Sequence, residues 1–231
     1  MDALWEGLRE ALRLIGSNDP ELRDIAVRTV FVSGAATLLA MLVGVPLGYA
    51  LARARFHGRT MLLGAVNTGM GVPPVVVGLV VWLMLVRSGP FGSLELIYTR
   101  RAMTIAQFVI ALPLVVGFTA AAIQSLPREL PDLLTVLGAR RTRRIWLTIR
   151  EAQLGILAAV MAGFGAVVSE VGASMTVGGN IKGDTRVLTT AIVTETSRGQ
   201  NANAIALGVI LLALTFAVTL LLTIVQQRRA R

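Results

Sequence analysis

Five uncharged stretches, residues 29–52, 61–86, 102–126, 152–169 and 202–225, are the feature that most limits how this chain can fold. A helix rises about 1.5 Å per residue, so about 20 apolar residues cross the roughly 30 Å hydrocarbon core of a bilayer. Four of the runs have that length alone; 152–169 reaches it if its helix continues past Glu170. A water-soluble domain has no use for so many such runs, because its outer face must meet water. The chain is 55% hydrophobic and 15% charged, with a mean hydropathy of +0.72. The expected fold is therefore an all-α membrane protein, one transmembrane domain over 1–231 with about five transmembrane helices. Pro46, Pro73, Pro74 and Pro113 fall inside these runs, and every run contains glycine, which in a membrane permits kinks and close helix approach.

With no cysteine, a disulfide framework and cysteine-ligated zinc or iron–sulfur chemistry are excluded. His57 is the single histidine, so a histidine metal cluster is excluded too, and neither metal nor cofactor is expected. The net charge of +9 reads as membrane topology rather than nucleic-acid binding. Lys and Arg are densest in the 53–60 connection, the 127–151 connection and the C-terminal QQRRAR, which places those on the cytoplasmic side. Residues 1–28 and the 87–101 and 176–201 loops then lie outside, with the N-terminus out and the C-terminus in. The first residues carry charges throughout and no apolar core of a leader, so no secretory signal is expected there. Residues 3–15 put Leu4, Trp5, Leu8, Leu12 and Ile15 on one helical face, with Glu6, Arg9, Glu10 and Arg13 on or beside the other. Such a helix lies in the outer membrane interface or packs on the protein's own surface.

The 127–151 connection has structure of its own. Pro131-Asp132 suits a helix start, Leu133, Leu134 and Leu137 give that helix an apolar face, and Gly138 permits a turn. Arg140, Arg141, Arg143 and Arg144 follow, before Ile145, Trp146 and Ile149 lead the chain back to the membrane. In residues 169–193, SEVGASMTVGGNIKGDTRVLTTAIV, small and polar residues interrupt an apolar run. A carboxylate such as Glu170 costs about 2.5–3.5 kcal/mol at the centre of a bilayer, so it needs a partner or a cavity. VGGNIKGDT is not a Walker A loop, since its lysine precedes the glycine and no GK[ST] occurs in the chain. ATP hydrolysis, if used, belongs to another polypeptide.

Several of these segments resemble ABC-importer permeases of the molybdate, sulfate and tungstate group, over roughly residues 19–225. GVPLGYALARARFHGR is similar to the end of their first conserved helix, and MGVPPVVVGLVVWLMLVRSGPFG to their proline-pair helix. In FGAVVSEVGASMTVGGNIKGDTRVLTTAIVTETSRG, Glu170, Gly172, Ala173, Gly179, Asn180, Ile181, Gly183 and Thr185 match the group's signature. In the cytoplasmic loop Gly138 fits, whereas Asp132-Leu133-Leu134 stands where the family has an acidic-alanine-alanine triplet, and the later Leu-Pro is missing. EVGASMTVGGNIKGDTR with TTAI and ETS, and IREA at 149–152, look most like tungstate permeases.

The resemblance implies a type I ABC-importer permease in a prokaryotic inner membrane, multi-pass, importing tungstate or a related oxyanion. A second copy of the chain would complete the pathway. Two cytoplasmic ATPase subunits would dock on residues 130–147, and an extracytoplasmic oxyanion-binding protein would deliver cargo. Contact with the ATPase would fall to Asp132, Leu133, Leu134, Leu137 and Gly138, with Arg140 and Arg141 steering it. Glu170, Ser174, Thr176, Gly179, Asn180 and Lys182 would line the pathway or its gate, where backbone N–H groups and hydroxyls suit an oxyanion. Each glycine there also reads as a packing residue, and Lys182 as a solvated loop charge. A gradient-driven transporter would instead show an ionisable relay and a repeat, and a membrane enzyme a His, Asp or Ser constellation.

Overall fold

A computed structural model describes residues 2–17, 19–54, 56–127 and 129–230, with the backbone alone for residues 2–4, 229 and 230. The side chain of Leu4, all of Arg55 and Arg128, the side chain of Arg229 and all of Arg231 lie outside the described residues. The elements in chain order are α1 (Asp2–Gly16), α2 (Pro20–Arg53), α3 (Arg59–Gly71), α4 (Pro74–Leu85), a single 3-10 turn at Gly92–Leu94, α5 (Arg100–Gln124), α6 (Leu130–Val136), α7 (Arg141–Glu151), α8 (Gln153–Val168), α9 (Gly172–Gly178), α10 (Leu188–Ser197) and α11 (Asn201–Ala230). Among the described residues there is no strand.

Among the described residues three helices, α2, α5 and α11, are long and apolar enough to cross a membrane alone, and there are up to five spans if each of two bent pairs counts as one. The bends correct two sequence expectations. Residues 61–86 are not one helix but α3 and α4, bent by 102°. Pro74 lacks an N–H and its ring disfavours helical backbone at the residue before it; Val72 and Pro73 accordingly take extended ψ values of 127°. Nor does the 152–169 run continue past Glu170. Its helix stops at Val168, and its extra length comes from the other end, where α7 meets α8 at 67°. A third correction concerns 176–201, read as a loop: Leu188–Ser197 is the helix α10, with Leu188, Thr189, Thr190 and Ala191 buried.

α5 is the axis of the bundle, packed against α2, α8, α3, α9 and α4. Bilayer lipid is as apolar as leucine, so close van der Waals fit rather than water exclusion must hold the helices together. Small residues supply it. A Cβ on Gly48 would lie 2.7 Å from the Thr119 Cβ of α5, and one on Gly78 would lie 2.6 Å from the Ala173 Cα. Ala36, Ala40, Ala106 and Ala111 are fully buried in the same seams. The large side chains point the other way: Phe31, Leu42, Leu79, Leu83, Leu212 and Phe216 are exposed, as a lipid-facing belt requires.

α1 packs on the protein's own surface, the second of its two expected readings. Its small side, Gly7 and Ala11, is buried against α11, where a Cβ on Gly7 would lie 2.4 Å from Ile205 Cγ2. The large apolar side chains Trp5, Leu8, Leu12 and Ile15 stay exposed.

Candidate functional site

The signature block begins where α8 ends. Glu170 is 8% exposed, and its Oε1 accepts from the Ala173 N–H at 2.7 Å, so the carboxylate caps the first turn of α9 from inside the bundle. The Glu170 carbonyl accepts from Thr189 Oγ1 on α10 at 3.0 Å. Gly172 is required by a neighbour, since a Cβ there would lie 2.5 Å from Val75 Cγ2 on α4. α9 is thus wedged between α4 and α5.

Ser174, next along α9, is 1% exposed and accepts from Gln107 Nε2 of α5 at 3.2 Å. Thr176 donates back to the Gly172 carbonyl at 2.8 Å. The helix ends on Gly179, whose φ of +69° is left-handed and whose missing Cβ leaves room for the Tyr98 ring. Asn180 follows at φ +50°, a conformation its side chain tolerates better than most. It donates to Thr194 Oγ1 at 2.7 Å and accepts from Arg186 Nε at 3.3 Å. Lys182 pairs with Glu21 of α2 at 2.8 Å on the surface. All six sequence-derived pathway residues therefore fall in one block around α9. Their side chains, and the backbone of Gly179, are engaged with the protein itself.

Four residues outside the set of pathway residues expected from the sequence hold this block in place. Arg28, 5% exposed on α2, donates to the carbonyls of Arg186 at 2.7 Å and Gly183 at 2.9 Å. The neighbouring Thr29 accepts from the Leu188 N–H at 2.9 Å, fixing the start of α10. Thr185, fully buried, donates to the Gly178 carbonyl and accepts from the Ile181 N–H, closing the turn on itself. Gln107 anchors Ser174 from α5. The available signal was Arg28 itself, a charge abutting an apolar run.

At the other end of the molecule α6 and α7 form the connecting loop. Asp132 lies in the first turn of α6, and Leu134 is buried beneath it. Leu133, Val136 and Leu137 are 55%, 85% and 71% exposed, an apolar ridge far too open for a packed helix. Gly138 has φ +73°, the left-handed turn that lets its N–H bond the Thr135 carbonyl at 3.0 Å and that of Ala139 bond Leu134 at 3.0 Å. Arg140 precedes α7 in extended conformation and Arg141 opens it. Arg144 donates to Thr135 Oγ1 at 2.6 Å, tying α7 to α6, while Arg143 and Arg150 lie 4.9 Å and 5.2 Å from the Trp146 ring. Among the described residues no group of three or more His, Cys, Asp or Glu is placed to hold a metal.

These features agree with what the chain resembles among known proteins. Residues 44–231 match the family model described as "Binding-protein-dependent transport system inner membrane component". A probable anion ABC transporter permease protein of Haloferax volcanii is 42% identical over 87% of this chain and 88% of its own length. The tungstate uptake system permease protein TupB of Peptoclostridium acidaminophilum is 40% identical over 98% of this chain and 100% of its own. Among solved structures, a chain of the inward-facing MetNI methionine ABC transporter aligns with a TM-score of 0.74 at 17% identity, covering 91% of this chain and 97% of that one, which shows the same fold. The family match over residues 44–231 and the full-length relative at 40% identity show that the chain belongs to the binding-protein-dependent transport family of inner-membrane ABC-importer permeases.

Proposed function

We propose that this chain is the membrane subunit of an ATP-driven importer of tungstate, forming the translocation pathway with a second copy of itself. The full-length identity of 40% to a permease named for tungstate uptake carries the substrate reading. Molybdate and sulfate are the alternative cargoes, since all three are tetrahedral dianions and backbone N–H groups and hydroxyls tell them apart poorly. The exposed ridge of Leu133, Val136 and Leu137 supports docking of two cytoplasmic ATPase subunits on the 127–151 loop, with Asp132, Leu134 and Gly138 shaping it and Arg140 and Arg141 beside it. In this topology residues 1–28 and the α9–α10 region face outward, where an oxyanion-binding protein delivers cargo, and the C-terminus is cytoplasmic.

The six pathway residues act in this reading as the frame of a gate. Glu170 sets the break between α8 and α9, Ser174 and Thr176 hold α9 in register, and Gly179, Asn180 and Lys182 shape the turn over it. ATP-driven closure of the ATPases moves α6, and α7, bonded to it, passes the movement to α8 and so to the gate.

The test is tungsten and molybdenum accumulation by mass spectrometry in cells given equal trace amounts of both oxyanions. The chain is expressed with the ATPase and binding protein of its system, as wild type and as Gly138→Pro. Proline cannot adopt φ +73°, so the variant breaks the turn below α6 without touching α9. Tungsten uptake that disappears in Gly138→Pro is the expected result. Uptake of neither metal by an assembled wild-type complex overturns the tungstate reading.

A further inference from the structure

On the side of the molecule where the coupling loop lies, a recess of about 1000 Å³ opens between the end of α2, the start of α3 and the α6–α7 pair. Four guanidiniums line it, from Arg53, Arg59, Arg141 and Arg144, against the one carboxylate of Asp132, with Tyr49 and Thr148 completing its polar wall. Two of the four arginines are anchored: Arg59 Nε donates to the Leu51 carbonyl at 2.8 Å, and Arg144 bonds Thr135. Arg53 is not. Its Nε and Nη2 are buried and have no hydrogen-bond acceptor among the described residues. No ion pair joins Asp132 to any of the four among those residues either.

A guanidinium that has lost water and found no acceptor is costly, and like charges gathered around it raise the cost. A planar fork of N–H donors is, however, the group best suited to grip two oxygens of a tetrahedral anion, and burial strengthens that contact. Arg53 and Arg59 close the apolar runs of α2 and α3, so the recess sits at the depth where spans meet the interface. The exposed ridge residues Leu133, Val136 and Leu137 do not line it, so it lies beside that ridge and shares only Asp132 and Arg141 with the residues named for the ATPase contact.

We propose that this arginine recess binds a tetrahedral oxyanion, beneath the coupling loop and apart from the gate at α9. The anion neutralises Arg53 and bridges the end of α2 to α7 through Arg141, so its occupancy stiffens the loop. Two sources share this chemistry, a free oxyanion such as tungstate and the phosphate of an anionic lipid. The site goes beyond the transport reading and is measured without it.

The full-length chain is reconstituted in phosphatidylcholine nanodiscs and titrated with sodium tungstate by calorimetry; a second preparation containing phosphatidylglycerol is examined for retained lipid by native mass spectrometry. The variants are Arg53→Gln, Arg141→Gln and Arg53→Lys, with Arg198→Gln, on an exposed outer turn, as control. Saturable tungstate binding that weakens about tenfold in each Gln variant, partly recovers in Arg53→Lys and is unchanged in Arg198→Gln supports the site with a soluble ligand. Retention of phosphatidylglycerol with the same dependence supports it with a lipid ligand. Binding that survives both Gln variants, or no binding of either ligand by folded wild type, overturns it. Arg141 is exposed, so its substitution stays informative even if Arg53→Gln fails to fold. A Gly138→Pro chain that loses uptake but keeps this binding separates the site from the coupling mechanism.

Discussion

Glu170 offers the sharpest test of the gate frame, because two substitutions there separate hydrogen bonding from charge. The Ala173 N–H is fully buried, and Glu170 Oε1 at 2.7 Å is its acceptor. Glu170→Ala removes the acceptor and leaves the N–H in a dry seam beside Val75 and Gly78, at a cost of about 1–3 kcal/mol. Truncating the buried methylenes adds to that through the void they leave. Glu170→Gln keeps a carbonyl oxygen at the same place and loses only the charge-assisted part of the bond, about 1 kcal/mol. In a chain of 231 residues each kcal/mol shifts Tm by about 2–4 °C, so the lost bond in the alanine variant lowers Tm by roughly 2–12 °C, with the void adding to that, and glutamine lowers it by no more than about 4 °C. The assay is thermal unfolding of the detergent-solubilised chain, followed by tryptophan fluorescence and checked by size-exclusion recovery. Uptake assays on the same pair should show glutamine close to wild type. If glutamine is as damaging as alanine, the charge itself is at work, and the account of Glu170 as a helix cap is wrong.

Three further substitutions probe other joints of the structure. Gly78→Ala puts a Cβ 2.6 Å from the Ala173 Cα, a backbone atom that cannot swing aside, so α4 and α9 must part; a loss of about 1–3 kcal/mol in chemical denaturation is expected, and Gly64→Ala, with open space around it, should show none. Arg28→Met keeps the aliphatic stem of the side chain but removes both bonds to the Gly183 and Arg186 carbonyls, so amides of residues 180–187 should exchange with deuterium about tenfold faster while those of α5 are unchanged. Leu137→Glu alters a side chain that is 71% exposed, leaving Tm where it is, yet it should abolish stimulation of the ATPase by binding protein in the reconstituted importer.

The parts of this fold visible in the sequence are those governed by hydrophobic length. The runs 29–52 and 202–225 each lie inside one helix, and 102–126 overruns α5 by only two residues, because an apolar stretch without charge or paired prolines has one stable form in lipid. The Pro73-Pro74 pair was read as a permitted kink, but the angle of 102° depends on what α4 packs against, and a single sequence does not state that α9 receives Gly78. α10 was missed for a related reason. Its sequence, LTTAIVTETS, is short and threonine-rich, and it is helical because Thr29 and Ile25 on α2 and Ala206 and Leu207 on α11 provide the surfaces that bury it. The candidate site was legible as a block but not as a set of bonds. Small polar residues beside Glu170 marked the place, and nothing in their spacing disclosed that Gln107, Thr194 and Arg28 would answer them.

Those partners change what the polar block is for. Irregular backbone at membrane depth survives only when every N–H and carbonyl is met by protein or water. Here Thr185, Thr189 and Arg28 meet several of them, so the turn between α9 and α10 is held to α2 and to itself, and α10 to the Glu170 break. A segment bonded in this way does not bend gradually; it moves with the helices that hold it or not at all. The donors read from the sequence as contacts for an anion therefore serve first to hold α9 in place, and across the seam between α4 and α9 Gly78 and Ala173 meet in close van der Waals contact. α6 and α7 sit at the far end of α8, whose other end Glu170 separates from α9. In the proposed mechanism a displacement of the 127–151 loop reaches α9 along one helix, so a substitution that stiffens or loosens α8 is expected to change uptake without changing the bonds around α9.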